Sequence, residues 1–355
     1  MISILIGSVS EFSGKGILCM GIAKHFQAKN YKVGVFKPVG RVPVEVDGVL
    51  TDANMAFFKK ELGLQSPLSD LCPVVLTRDL LDKVLQGNEK GLKDRIISAY
   101  EKVSSKKDVL LLNGSGRLFD GELLGVSERD LLEKTNARAL FLGSVSEISH
   151  TLDAFLYTKE ILKDNLLGVA FNRVPQNMVK FVSEKAVPFL EKNKIPVFAV
   201  LPEEPMLNAV TVGELKNFLG AEMLCCADKE NELVERYSIG AMNVENAIKY
   251  FLKTKNKAVI TGGDRSDIQA AALETSTKCI VLTGGLYPNE RIISHAEEKG
   301  IPIMVVKDDT LVTVGKFESL LGHLTVLNKT MLKYGVELVN KHFDFQKLHK
   351  AIGMK

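Results

Sequence analysis

Six short, nearly continuous apolar runs set the strongest constraint on this chain: "ISILIG", "KVGVFKPV", "DVLLLNG", "ALFLGSV", "LLGVAFNRV" and "PVFAVLP". Strands that read this way, without polar alternation, are buried on both faces, as in a parallel sheet. Between them lie segments of helical period at 15–28, 92–105, 150–162 and 178–192. Alternating β and α predicts a doubly wound α/β sheet, in which ligands bind beyond the carboxyl ends of the strands. Those ends carry residues 7–16, Lys37-Pro38, Asn113-Gly114, Ser144, Asn172-Arg173 and Leu201-Pro202.

At 355 residues the chain exceeds the size at which one core keeps growing, so two domains are expected. The pattern breaks at "LPEEPMLNAVTV", 201–212. Beyond it a smaller α/β unit repeats one phrase, an apolar strand, Thr-Gly-Gly, then a helix, opened by Thr261 and by Thr283. The strand "IPIMVVKDD" follows, and the segment around Met331–Phe343 has the spacing of an amphipathic helix. The expected organisation is 1–207, 208–322 and a helical tail at 323–355.

A net charge of +3 without a basic block gives no reason to expect a nucleic-acid partner. No apolar run approaches the roughly 20 residues that span a bilayer, so no membrane partner is expected. "MISILIGS" lacks the charged start of a signal peptide and reads as a first strand. The five cysteines, Cys19, Cys72, Cys225, Cys226 and Cys279, are odd in number and form no C-x-x-C. They read as buried thiols in a reducing cytosol, and a cytoplasmic location is expected. The six histidines show no metal-ligand spacing.

"GSVSEFSGKG", 7–16, places Gly14-Lys15 between a strand and a helix. Free N–H groups and the positive end of a helix there would face an anion. The usual phosphate loop is G-x-x-x-x-G-K-[ST]. Here Val9 stands in place of the first glycine and Gly16 in place of the hydroxyl. The heptapeptide nearly recurs as "GSVSEIS" at 143–149 without Gly-Lys. Serines after a strand are good helix caps, which accounts for what the copies share. We read 143–149 as structural and 7–16 as a phosphate loop; the alternative is a plain turn with an exposed lysine.

"GSVSEFSGKG", "GVFKPVG", "DVLLLNGSG", "GVAFNRVP" and "VLPEEP", in this order, resemble the dethiobiotin-synthetase-like P-loop domain, and more closely its version at the N-terminus of long phosphotransacetylases. "SIGAMNVENAIKYF", "VITGGDRSDIQAAALE" and "VLTGGLYP" resemble a DRTGG domain. "LVNKHFDFQKL" is similar to the tail such proteins carry.

The resemblance implies that Ser10, Glu11, Ser13, Gly14, Lys15 and Gly16 line the phosphates of ATP or ADP, with Ser13, Gly14 and Lys15 cradling the β- and γ-phosphates. It implies that Lys37 faces the terminal phosphate. Asn172 and Leu201-Pro202 would surround the base, with the Asn172 amide reading its edge. Asp52 falls where the family has a magnesium-associated carboxylate, and Asp47, Asp52 and Glu11 are the acids to examine should the ion bind. Two departures argue against magnesium: the P-loop hydroxyl is Gly16, and the strand-end acid is Asn113. Losing both predicts binding without the ion and weakened or absent hydrolysis.

In the second domain Gly262, Gly263, Asp264 and Arg265 with Thr283, Gly284 and Gly285 form a second possible ligand site. The other reading is tight glycine turns, Asp264 and Asp267 as helix caps, and Arg265 paired with a neighbour. The resemblance further implies a homodimer through this domain. The leading expectation is a nucleotide-binding regulatory or sensor protein. The alternative is an ATP-dependent carboxylate-activating ligase of the dethiobiotin synthetase or cobyrinic acid diamide synthase type. Acetyl transfer is not expected, since no phosphotransacetylase catalytic region follows residue 355.

Overall fold

The computed structural model describes residues 1–10, 13–145, 147–207, 209–322 and 328–354. The chain divides into two compact units, Met1–Glu204 with Thr325–Lys355, and Pro205–Leu324.

The six apolar runs form one sheet in the first unit. Its spatial order is Val197–Pro202, Leu166–Val174, Arg138–Ser144, Ile2–Ser8, Val109–Asn113 and Val33–Phe36, every neighbouring pair parallel. This is the expected doubly wound sheet, and its strands are buried almost throughout. Register sets the site: Ile6 pairs with Asn113, Ser8 with Leu142 and Ser144 with Asn172, which lines these strand ends along one edge.

Two elements differ from expectation. The run 32–39 splits at Pro38, which has no N–H to give a ladder. Val33–Phe36 stays in the main sheet, while Val39–Gly40 pairs with Val74–Val75. Pro43–Val46 and Val49–Asp52 form a hairpin closed by Asp47-Gly48, both at positive φ (50° and 74°). Asp-Gly between alternating valines is the sequence signal for that turn. Asp47 is thus an exposed turn residue rather than a member of the phosphate site.

The tail belongs to the first unit. Helix Lys329–His342 lies against helix Lys15–Ala28 so closely that a Cβ on Gly21 would sit 2.6 Å from Val339, and one on Gly335 2.6 Å from Ile17. Phe343 bridges to Ala199 and stacks on Phe198 with ring centroids 5.8 Å apart. Lys347 reaches Glu191 and the Val197 carbonyl. The apolar stripe of the tail is therefore buried within its own chain, and it supplies no argument for a dimer.

The second unit holds a five-stranded sheet ordered Glu222–Cys225, Ile303–Val305, Thr277–Thr283, Lys257–Gly262 and Arg236–Ile239. The first pair is antiparallel and the rest are parallel. Apolar clusters cover both faces, one built on Val259, Ile280 and Phe251, the other on Ala258, Val281 and Phe317. Among the described residues no helix is long and apolar enough to cross a membrane.

Candidate functional site

Strand Ile2–Ser8 runs into the loop and on into helix Lys15–Ala28. Gly14 is the N-cap residue at φ 81°, ψ 23°, a left-handed conformation that glycine adopts without cost. A Cβ there would also fall 2.3 Å from Asn172 Nδ2. The Asn172 side chain donates that amide to the Ser13 carbonyl at 2.7 Å. It clamps the loop from the end of the strand next but one in the sheet, a contact that the expected role at the edge of a base did not include. Ser13 itself is buried, and its Oγ has no partner among the described residues. Pro202 ends its strand half-buried, paired in register with Val174. Glu11 lies outside the described residues.

The two heptapeptide copies lie side by side. Val9 N–H donates to the Leu142 carbonyl at 2.8 Å, and Ser10 Oγ stands 3.4 Å from Ser144 Oγ. Among the described residues the serines of the two copies do not cap the helices as expected. The N-cap positions are Gly14 and Glu147, neither with a side-chain cap bond. The Ser144 carbonyl instead accepts Thr151 Oγ1 at 2.6 Å.

Lys15 is half-buried and donates to Ser8 Oγ at 2.9 Å. The Ser8 hydroxyl in turn approaches the Gly116 carbonyl at 3.3 Å, and the Gly116 N–H donates to Glu128 Oε1 at 2.8 Å. Glu128 is wholly buried, although it begins helix Glu128–Thr135. Its carboxyl rests where only glycines leave room: a Cβ on Gly7 would lie 2.9 Å from Oε2, and one on Gly114 2.4 Å from Oε1. Oε2 has no hydrogen-bond partner. Nothing in the sequence sets Glu128 apart. In "GVSERD" it reads as an ordinary charge in a helix's first turn, and the capping box formed by Ser127 and Asp130 reinforces that reading.

Burial pushes the Glu128 carboxyl up to about 8, against the pull of the Gly116 N–H and of Lys15. Burial lowers Lys15, which Glu128 and Asp120 oppose and Lys37 and Arg41 reinforce. Three cations therefore gather around the loop. Asn113, at 4 % exposure, ends the adjacent strand.

Lys37 and Asp52 form a buried ion pair at 2.8 Å. Asp52 Oδ2 also accepts the N–H groups of Arg41 and Val42, while Oδ1 accepts that of Asn54 and caps helix Ala53–Leu62. Lys37 thus spends its charge on Asp52 rather than facing a free phosphate position, and Asp52 has little left to offer a metal.

The described residues do not fit magnesium. Gly16 has no hydroxyl and Asn113 has no charge. The oxygens of Asp52 are occupied, and Glu128 Oε2, buried hard against two glycines, leaves no room for an octahedral ion that keeps part of its water. Among the described residues no three His, Cys, Asp or Glu side chains group as a metal cage.

In the second unit the Thr-Gly-Gly turns stand at adjacent strand ends, and their amides are already used. Gly263 N–H donates to Thr283 O, Gly284 N–H to Asp308 O and Gly285 N–H to Val306 O. Buried Gln269 donates to the carbonyls of Gly262 and Gly263. Arg265 pairs with Asp267 through two 3.0 Å contacts and reaches the Met242 carbonyl. Thr283 Oγ1 meets Thr310 Oγ1 at 2.8 Å. Asp264 is exposed, and Arg265 rather than either aspartate holds the N-cap position. The turns are glycine turns tied into the fold, without the free amides of an anion pocket.

Comparison with known proteins agrees with this division. Residues 3–211 match the family model of an AAA domain and residues 214–320 that of a DRTGG domain. A phosphate acetyltransferase of Nitratidesulfovibrio vulgaris is 25% identical over 371 aligned positions, covering 98% of this chain and 51% of that protein. The chain thus spans about half the length of that relative. The ATP-dependent dethiobiotin synthetase BioD of Thermodesulfovibrio yellowstonii is 26% identical over 223 positions, covering 58% of this chain and 91% of that protein. Among solved structures, the MinD cell division protein of Aquifex aeolicus covers 58% of this chain and 84% of its own, at 19% identity and a TM-score of 0.35. With its model matched over more than half of the residues, the chain belongs to the AAA domain family, and a DRTGG domain follows in the same chain.

Proposed function

We propose that the first unit binds ATP or ADP at the 7–16 loop through Lys15, and that the protein is a nucleotide-dependent regulator or sensor with slow or absent hydrolysis. The observation that carries this reading is Lys15 at the start of a helix whose loop Asn172 clamps at the Ser13 carbonyl. A helix N-terminus with a lysine in its first turn favours an anion. Weak hydrolysis follows from the missing hydroxyl and acid at Gly16 and Asn113, because phosphoryl transfer depends on the ion they would hold. Calorimetric titration of ATP and ADP into wild type and Lys15→Ala tests the reading. Losing a charged hydrogen bond to phosphate should weaken binding by roughly tenfold to a hundredfold. Equal affinity in both proteins, or no binding to either, refutes it.

A second reading, an ATP-dependent carboxylate-activating ligase, is favoured by the match to dethiobiotin synthetase over nearly all of that enzyme. It requires magnesium-dependent turnover of ATP, which separates it from the first.

A further inference from the structure

Most groups around the loop have their partners: Lys37 has Asp52, and Asp120 lies near Arg117 and Arg41 at 3.5 and 3.8 Å. Glu128 stands apart. It is a wholly buried carboxyl whose Oε1 accepts the Gly116 N–H, with the Ser115 N–H also favouring its charged form, and whose Oε2 has no hydrogen-bond partner among the described residues. An unpaired buried carboxylate is costly, and the cost is relieved by a nearby cation or by a proton. The cation in its surroundings is Lys15, joined to it through Ser8 and Gly116. The other charge bearing on it is Asp120, which opposes its ionisation. Lys37 and Arg41 bear on Lys15 from the other side.

This proposal rests on the phosphate-loop reading above. We infer that in mildly alkaline solution Glu128 is the internal counter-ion of Lys15 in the free protein and takes up a proton from solvent when a nucleoside di- or triphosphate engages that lysine. The step is an acid–base one: the carboxylate and a proton from solvent give the neutral carboxyl, with no other bond made or broken. The reason is charge. Phosphate oxygens arriving at Lys15 cancel the positive field that favours the Glu128 carboxylate and add negative charge nearby. Among the described residues no side chain is placed to hold magnesium against that charge, so the proton offsets it. Glu128 is then a positioning and charge-balancing residue, which accounts for a carboxyl kept beneath a phosphate loop by two glycines.

The test is calorimetry of ADP binding in chelator at about pH 8.5, in buffers of different ionisation enthalpy. The phosphates of ADP are fully ionised there and contribute no proton. The dependence of heat on buffer should report between half a proton and about one proton taken up per ADP by wild type. Glu128→Gln can still accept the Gly116 N–H, and it should bind ADP with that uptake lost. Infrared difference spectra of wild type supply a readout without a variant, in which a carboxyl C=O band should grow and a carboxylate band shrink on ADP addition. Binding without uptake in wild type overturns the proposal and leaves the phosphate loop standing. Equal uptake in Glu128→Gln assigns the proton to Lys15 and also overturns it. No ADP binding by wild type removes both.

Discussion

Asn172 Nδ2 donates to the carbonyl oxygen of Ser13 at 2.7 Å, which ties the phosphate loop to the strand next but one in the sheet. Replacing Asn172 with Ala leaves that carbonyl without its donor and frees the loop from its stop. Nucleotide affinity should fall about fivefold, the equivalent of about 1 kcal/mol for one hydrogen bond. The melting temperature should move little. Titration and thermal melting of the same variant check both; unchanged affinity would mean that the clamp is irrelevant to binding.

His25 and His349 place their Nε2 atoms 3.1 Å apart, with His25 stacked on Phe345 at 3.6 Å. One ring donates and the other accepts, so the contact needs at least one neutral imidazole. Burial, then His349 and Lys29, push His25 down to about 4. A histidine whose folded value lies below its unfolded one of about 6.5 contributes stability above that pH and loses it as pH falls towards 4. Thermal stability should decline across that window. In His25→Phe, which keeps an aromatic surface against Phe345, the decline should be shallower. Equal slopes in the two proteins would remove this pair from the acid response.

Gly335 meets Ile17 where the tail helix crosses the first helix. Gly335→Val forces methyl groups into a contact with no slack and should cost about 1–3 kcal/mol in urea unfolding. Because the tail packs beside the loop-bearing helix, nucleotide affinity should drop as well. A variant as stable as wild type would show that the tail is not seated there.

Homodimer formation is a further prediction, and its interface is assigned to the second unit. Ile248 and Leu252 lie one turn apart on helix Val244–Lys253 and are exposed, as are Ile239, which closes an edge strand, and Met242. Light scattering on the full chain should give a dimer, and Leu252→Glu should shift it towards monomer. A monomeric wild type, or a dimer indifferent to the substitution, contradicts this.

The strands were legible because burial on both faces leaves unbroken apolar runs; Leu166–Val174 coincides with its run, and helix Lys15–Ala28 with its periodic segment. Lys15 and Gly14 were legible because a strand–helix turn demands particular residues locally. What stayed hidden depends on distant partners. Asp52 reads as a free acid until Lys37 is seen to hold it. Glu128 reads as a surface charge until Gly7 and Gly114, from two other strand ends, are seen to make space for it. The tail shows its apolar stripe in sequence, but nothing local says that Gly21 and Ile17 receive it.

On the proposed function, phosphate is held by Lys15 and loop amides without help from magnesium. The most direct measurement is titration of ATP into the full chain, once in chelator and once in excess magnesium. The dissociation constants should agree within about threefold, while Gly16→Thr with Asn113→Glu should gain a magnesium dependence. If chelation weakens wild-type binding by about a hundredfold or more, the ion is a true member of the site. Should wild type also turn over ATP at about 1 per second only with magnesium, the ligase reading replaces the sensor.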